Sequence, residues 1–358
     1  MTACSECLRR TWLLMRLGSH LEAVRERLDE VLALSDRDLM DAIGGERRDA
    51  VRAELRRLDA GELRGRSAAV ALELICRCDP AYPSRLLDLE SPPAVLHVAG
   101  GLERFLELVA AEPCAVVGSR RASEYGLDAA RALGRGLGRA SVTVVSGMAL
   151  GVDSAAHAST LEADGPTVAV LPGGAERPYP PSKRALYNWI VRSGAVVSEM
   201  PAGARTWRWS FPARNRIVAA LGAMTVVVEG RERSGALITA AYARDLGRPV
   251  GAVPGRITSP LAAGPNALLA DGAAVVRGPQ DVLDALFGAG VRSAREDARG
   301  VLEPPLERIL DAVADGNDTL ASLERVGVAA DEGLAALSAL ELAGYVRREA
   351  GGRYAVVP

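Results

Sequence analysis

Residues Phe211 to Gly255 read FPARNRIVAALGAMTVVVEGRERSGALITAAYARDLGRPVGAVPG, and their side chains are of the kinds that hold polyanions. Phe211 precedes Arg214, Asn215 and Arg216 at one helix start, and Ser234-Gly235 opens a second helix after a strand-like apolar run. Backbone amides at helix starts and planar guanidinium groups together bind phosphate. The stretch has no nucleophile–base pair, no metal-ligand spacing and no hydride-cofactor fingerprint. An aromatic ring among arginines is also suited to stacking a base, a contact worth ~1–3 kcal/mol per base. The opposing reading makes Phe211 a core anchor and pairs Arg214 and Arg216 with Glu199 or Glu229.

Other candidates follow strand-length apolar runs. Gly118-Ser119-Arg120-Arg121 comes after Cys114–Val117, and SGMALG (Ser146, Gly147, Met148, then Gly151 at its end) after Val142–Val145. Pro172-Gly173-Gly174 follows Thr167–Leu171, Glu199 follows Ala195–Val197, and Glu229-Gly230 follows Thr225–Val228. In an open parallel sheet, ligands bind beyond the carboxyl ends of the strands, where glycine lets the backbone approach an anion. The predicted phosphate-binding rim is therefore Gly118, Ser119, Arg120, Ser146, Gly147, Met148, Gly151, Arg208, Phe211, Arg214, Asn215, Arg216, Ser234 and Gly235, with no catalytic residue.

Three enzyme classes are weighed against this rim. Ser146, Asp153 and His157 superficially suggest a hydrolytic trio, but no G-x-S-x-G elbow accompanies them. Pro172-Gly173-Gly174 matches half of the PGGxGTxxE signature of phosphoribohydrolases, nucleotide-processing enzymes on a similar sheet. Ala175-Glu176-Arg177-Pro178 then replaces the second half, so Glu199 and Glu229 read as residues that orient arginines. The G-x-G-x-G run, Gly134 to Gly138, falls in a helical stretch rather than after a strand, which excludes a nicotinamide site.

These turns must be held by a scaffold, and the 358 residues suffice for two or three domains. Residues 1–78 read as a helical domain of the SAM or helix-hairpin-helix kind, with helices at Thr11–Leu17, Leu21–Leu32, Asp38–Ile43 and Glu46–Leu58 and Ser35 as an N-cap. Residues 79–288 alternate buried-type strands with helices, the pattern of an α/β, Rossmann-like, doubly wound parallel sheet. Residues 289–301 read as a charged linker. Residues 302–358 give three helices and a two-stranded hairpin, a winged-helix pattern. Its presumed recognition helix, Asp331–Ala343, carries no basic residue, so nucleic-acid binding is expected in the central domain.

Apolar residues make up 49% of the chain and the net charge is −2, so any nucleic-acid site is a local patch. Of 43 basic residues only Lys183 is a lysine, leaving planar forks for bidentate phosphate contacts. No long apolar run or secretory leader is present, which predicts a cytoplasmic protein with no membrane contact. Cys4/Cys7 and Cys76/Cys78 form two close pairs, each of a kind that supplies half of a structural zinc site. One ion would clip together the two ends of the N-terminal segment; otherwise these are four unrelated small hydrophobes.

The chain resembles the DNA-processing protein A (Smf) family across residues 80–290. Gly118-Ser119-Arg120, SGMALGVDSAAH, Tyr179-Pro180, Ser198-Glu199, FPARNR, SGALITAAYA and GRPVGAVPG occur in the family's order. The resemblance implies a homodimeric single-stranded-DNA-binding protein. It would load the RecA recombinase during natural transformation and recombination, with no cofactor required and no turnover. Carried onto this chain, the family's GSR arginine is Arg120, its pocket aromatic Phe211 and its upstream basic residue Arg208. Where the family commonly has Ala-Arg-Gly, this chain has Ala149-Leu150-Gly151, one guanidinium fewer.

Overall fold

The computed structural model describes residues 3–293 and 302–357, which fall into two compact units divided at Ala294/Arg295. Most of the expected 289–301 linker, residues 294–301, lies outside the described residues.

The first unit is built on one nine-stranded sheet. Its strands are β1 (Glu73–Cys76), β2 (Val95–Ala99), β3 (Cys114–Val117), β4 (Val144–Ser146), β5 (Thr167–Val170), β6 (Ala195–Ser198), β7 (Met224–Val227), β8 (Val250–Ala252) and β9 (Ala274–Val275). The spatial order is β1-β2-β6-β5-β4-β3-β7-β8-β9. From β6 to β9 every pairing is parallel, with Val116 opposite Val226 and Val145 opposite Val168. Strands that bury both faces need unbroken apolar runs. Cys114 and Val116 pack with Leu133 and Val152 on one side, whereas Ala115 and Val117 pack with Ile217 and Ala240 on the other. Each fully buried aliphatic side chain there contributes ~1.5–3 kcal/mol.

The sheet departs from the expected parallel form at one edge, where β1–β2 and β2–β6 are antiparallel. The segment 73–76 was expected to continue the helical region. It is a strand because Leu74, Ile75 and Cys76 are consecutively buried, and a helix would turn one of them to solvent. Ahead of it the chain is helical, beginning with Ser5–Arg16. Ser35 caps Asp36–Ile43 by accepting a hydrogen bond from the Asp38 amide at 3.2 Å.

Four helices position the functional edge. Glu124–Arg139 and Val152–Glu162 cover one face of the sheet; Ser210–Leu221 and Gly235–Asp245 cover the other. The Gly134–Gly138 run lies within the first of these, as expected. The second unit contains helices Pro304–Ala314, Leu320–Arg325 and Ala330–Leu342, then antiparallel strands Val346–Arg348 and Tyr354–Val356. Among the described residues no helix is long and apolar enough to cross a membrane.

Candidate nucleic-acid interface

Strands β3 and β7 are hydrogen-bonded neighbours although β4, β5 and β6 intervene in sequence, so the winding direction reverses between them. At such a reversal the outgoing loops diverge and leave a crevice beyond the strand ends. Here the loops after β3 and β7 border a cleft of about 640 Å³. Arg120, Arg121, Arg231 and Arg233 line it, Arg214 contributes to its wall, and Asp153 is the one carboxylate among the lining residues. The Arg120 guanidinium carbon lies 4.8 Å from the Phe211 ring centroid, and the Tyr179 ring meets Phe211 edge-on at 5.3 Å. Both geometries are favourable for a π face. They make a partly open platform of two aromatics and a cation.

Of the predicted rim, Gly118, Ser119, Arg120, Asn215, Ser234 and Gly235 all line the cleft. Phe211 joins it through Arg120, and Arg208 is exposed just before that helix. Ser234 precedes the 235–245 helix, but its hydroxyl makes no capping bond and is buried without a partner. Asn215 spans the same mouth by donating to the Gly235 carbonyl at 3.1 Å.

Six expectations need correction. Ser146 is buried and donates its hydroxyl to the Val116 carbonyl at 2.6 Å, bracing β4 against β3. Met148 is fully buried and serves packing. The amides of Gly147 and Ala149 are directed to the Asp153 carboxylate rather than to a ligand. Arg214 is buried with Nη1 donating to the Val170 carbonyl at 3.0 Å, so close to Gly147 that a Cβ there would overlap the guanidinium. Burial lowers its pKa to about 10, opposed by the Asp153 charge, so the side chain stays cationic at neutral pH. Burial likewise raises Asp153, opposed chiefly by Arg214. Arg216 is withdrawn altogether: Nη2 donates to both Glu199 carboxylate oxygens at 2.5 and 2.7 Å, and Nη1 to the Ser91 carbonyl at 2.6 Å. Gly151 has φ +76°, and a Cβ there would strike the Ser119 carbonyl, so its part is to let two loops meet.

Sequence reasoning missed Arg231, Arg233 and Tyr179. The signal for the arginines was present in GRERSG, where two basic residues lie between a strand end and a helix start. Tyr179 was noted only as half of a Tyr-Pro pair.

The enzyme readings find no assembled chemistry. His157 Nδ1 bonds the Thr167 hydroxyl at 2.7 Å, and burial lowers its pKa to about 3. The Ser146 hydroxyl donates to the Val116 carbonyl and the Asp153 carboxylate accepts from the Ala149 amide, so the three do not form a hydrolytic relay. Glu199 is taken by Arg216. Glu229 was expected to orient an arginine; it accepts instead from the Ser123 amide and hydroxyl at 2.9 and 2.6 Å, holding the start of the 124–139 helix. Cys4, Cys7, Cys76 and Cys78 converge, with their sulfurs within 4.8 Å of one another, and none of them lines the cleft.

A family model described as DNA recombination-mediator protein A matches residues 73–287. A DprA-type DNA processing protein of Mycobacterium tuberculosis is 44% identical over 208 residues, covering 58% of this chain and 53% of the relative. The match thus spans about half the length of that relative. The X-ray structure of DNA processing protein A from Streptococcus pneumoniae superposes with a TM-score of 0.64 at 30% identity, covering 80% of this chain and 99% of the other. The Helicobacter pylori protein of the same name, whose structure concerns a single-stranded DNA binding mode, gives a TM-score of 0.54 at 26% identity. That superposition covers 60% of this chain and 95% of the other.

Proposed function

Because the chain belongs to the DNA recombination-mediator protein A family, we propose that it binds single-stranded DNA across the cleft at the β3–β7 switch point. The family's proteins are DNA-binding recombination mediators and not enzymes. Arg120, Arg121, Arg231 and Arg233, with the open amides of the 235–245 helix, hold consecutive phosphates; Phe211 and Tyr179 receive a base. Arg214 supplies a fixed positive charge behind them. Phosphate and stacking contacts carry little base identity, so sequence preference is slight. The protein acts as a homodimer that passes the strand to the RecA recombinase in recombination and natural transformation. The DNA lies on the Rossmann-like sheet domain, which begins at β1 (Glu73–Cys76) rather than at residue 79. The helical segment before it and the winged-helix domain (302–358) are not required for that contact.

The observation that carries this reading is the charge of the cleft, five arginines against one carboxylate, beside an exposed Tyr179 and a half-buried Phe211. The test is fluorescence anisotropy of a labelled single strand of about 30 nucleotides, against its duplex and nucleoside monophosphates, across a salt series. Single-strand preference with a steep salt slope is expected, and the Arg231→Ala/Arg233→Ala variant flattens that slope. Saturable mononucleotide binding without DNA binding would sink the proposal. RecA filament growth on the same strand, with and without the protein, tests the handover.

A further inference from the structure

Two pairs of cysteines that lie about 70 residues apart in sequence meet at one point of the fold. Cys4 is the N-cap of the Ser5–Arg16 helix and Cys7 lies in its first turn; Cys76 ends β1 and Cys78 sits in the turn beyond. All four are free thiols. The Cys7 and Cys78 sulfurs are 3.6 Å apart, and those of Cys4 and Cys78 are 4.0 Å apart. A disulfide requires ~2.05 Å. Four thiolates around zinc, each at ~2.3 Å, stand ~3.8 Å from one another along the edges of the tetrahedron. These two separations match the edges of the tetrahedron, and all four sulfurs lie within 4.8 Å of one another.

The surroundings suit an anionic metal centre. The Cys4 amide points to the Cys76 sulfur at 3.4 Å and the Cys7 amide to the Cys4 sulfur at 3.5 Å. Amide donors of this kind hold the ligands in place and offset the net negative charge of a tetrathiolate centre. The helix N-terminus contributes its positive end to the same point. Cys7 and Cys76 are buried whereas Cys78 is exposed, so an ion could enter from the Cys78 side. Arg64 fixes the segment leading into the cluster by donating to the Ala3 carbonyl at 2.9 Å. Four protein ligands leave no open coordination position, which makes the site structural.

We propose that Cys4, Cys7, Cys76 and Cys78 bind one zinc ion that fastens the first helix to the edge strand of the sheet. The consequence extends beyond the cluster, because the helices so fastened support the segment ahead of Phe211. Trp209 Nε1 donates to the Gly18 carbonyl at 2.9 Å, and the Trp209 amide donates to Glu22 at 3.1 Å.

Metal content of the full chain, purified without an affinity tag or added metal, tests the site. One zinc per chain is expected, released in step with titration of four thiols by a mercurial. Replacement by cobalt(II) should give the intense visible ligand-field bands of a tetrahedral centre together with near-ultraviolet thiolate-to-cobalt charge transfer. Cys78→Ser removes the exposed ligand and should lose most of the metal, whereas Cys114→Ser, on β3, should keep it. Chelation should lower the melting temperature of the wild type but not of Cys78→Ser. A metal-free native chain with four reactive thiols, two disulfides, or iron in place of zinc overturns the proposal. If Cys78→Ser fails to fold, the metal content and mercurial release of the wild type still decide.

Discussion

Arg216 stands in the same motif as residues proposed to touch DNA, yet its replacement should damage the fold and not the affinity. Its side chain and that of Glu199 are 2% and 8% exposed, and the arginine makes three charge-assisted hydrogen bonds, two to Glu199 and one to the Ser91 carbonyl. Arg216→Met leaves the Glu199 carboxylate buried without a counter-charge, a loss of ~3–5 kcal/mol. With an unfolding entropy of ~2.1 cal/mol/K per residue, a unit of about 290 residues shifts by ~1.6 °C per kcal/mol, so the melting temperature should fall by ~5–8 °C. Replacing both partners, as Glu199→Leu/Arg216→Met, removes the stranded charge and should recover most of that loss. The assay is thermal unfolding of the four proteins of this cycle, with single-strand anisotropy measured well below each transition. Arg216→Met with unchanged melting and tenfold weaker DNA binding would refute the reasoning, since the guanidinium would then have to reach the ligand.

Phe211→Ala should weaken single-strand binding by ~1–3 kcal/mol, a factor of about 5 to 150, with little change in melting; anisotropy and calorimetry on one sample separate the two effects. Leu150 is 43% exposed at the position where the family commonly has arginine. Leu150→Arg should tighten binding at low salt and steepen the salt slope by ~0.7; an unchanged slope would place residue 150 away from the strand. Gly147→Ala pushes a methyl group into the Arg214 guanidinium, so it should both destabilise the protein and weaken binding. Unchanged melting and binding would show that the guanidinium moves aside and would contradict the clash. Finally, His97 and His157 are buried, and burial brings each to a pKa of about 3, with the Arg214 charge adding to the shift at His157. The folded chain keeps them neutral while the unfolded chain protonates them below about pH 6.5. Stability is therefore full above about pH 6.5 and falls as the pH drops toward 3, by up to ~1.4 kcal/mol per unit for each histidine. Urea unfolding at a neutral pH and two acidic pH values measures that slope, and a flat profile would contradict it.

The strands were legible in the sequence because burial on both faces demands consecutive aliphatic residues, and Cys114–Val117 and Thr167–Val170 fall where the apolar runs lie. The turns beyond them were legible through glycine. What residue type alone did not give was the direction of the arginines. Arg214 lies at helical spacing from Ile217, Val218 and Leu221, which places it on their buried face, and nearly the whole of the 210–221 helix is covered. That periodicity is a sign of burial, but a guanidinium is so often exposed that the motif was read as a row of contacts. Arg231 and Arg233 erred in the opposite direction. They sit in a loop without periodicity, and only the adjacency of β3 and β7 shows that the loop faces the cleft. The strand β1 was lost because four residues after a long helical region carry too short a pattern to mark the change.

The reversal between β3 and β7 also bears on when the protein becomes able to bind. The two sides of the cleft lie more than a hundred residues apart in sequence and are joined only by the central pairing of the sheet. A nascent chain that has emerged only as far as β6 holds Arg120 and Arg121 but has nothing opposite them. Such a chain is surrounded by messenger and ribosomal RNA, to which a finished polyanion groove would adhere. Because the basic residues converge only after β7 has joined the sheet, the proposed site forms late in synthesis, after most of the chain has emerged.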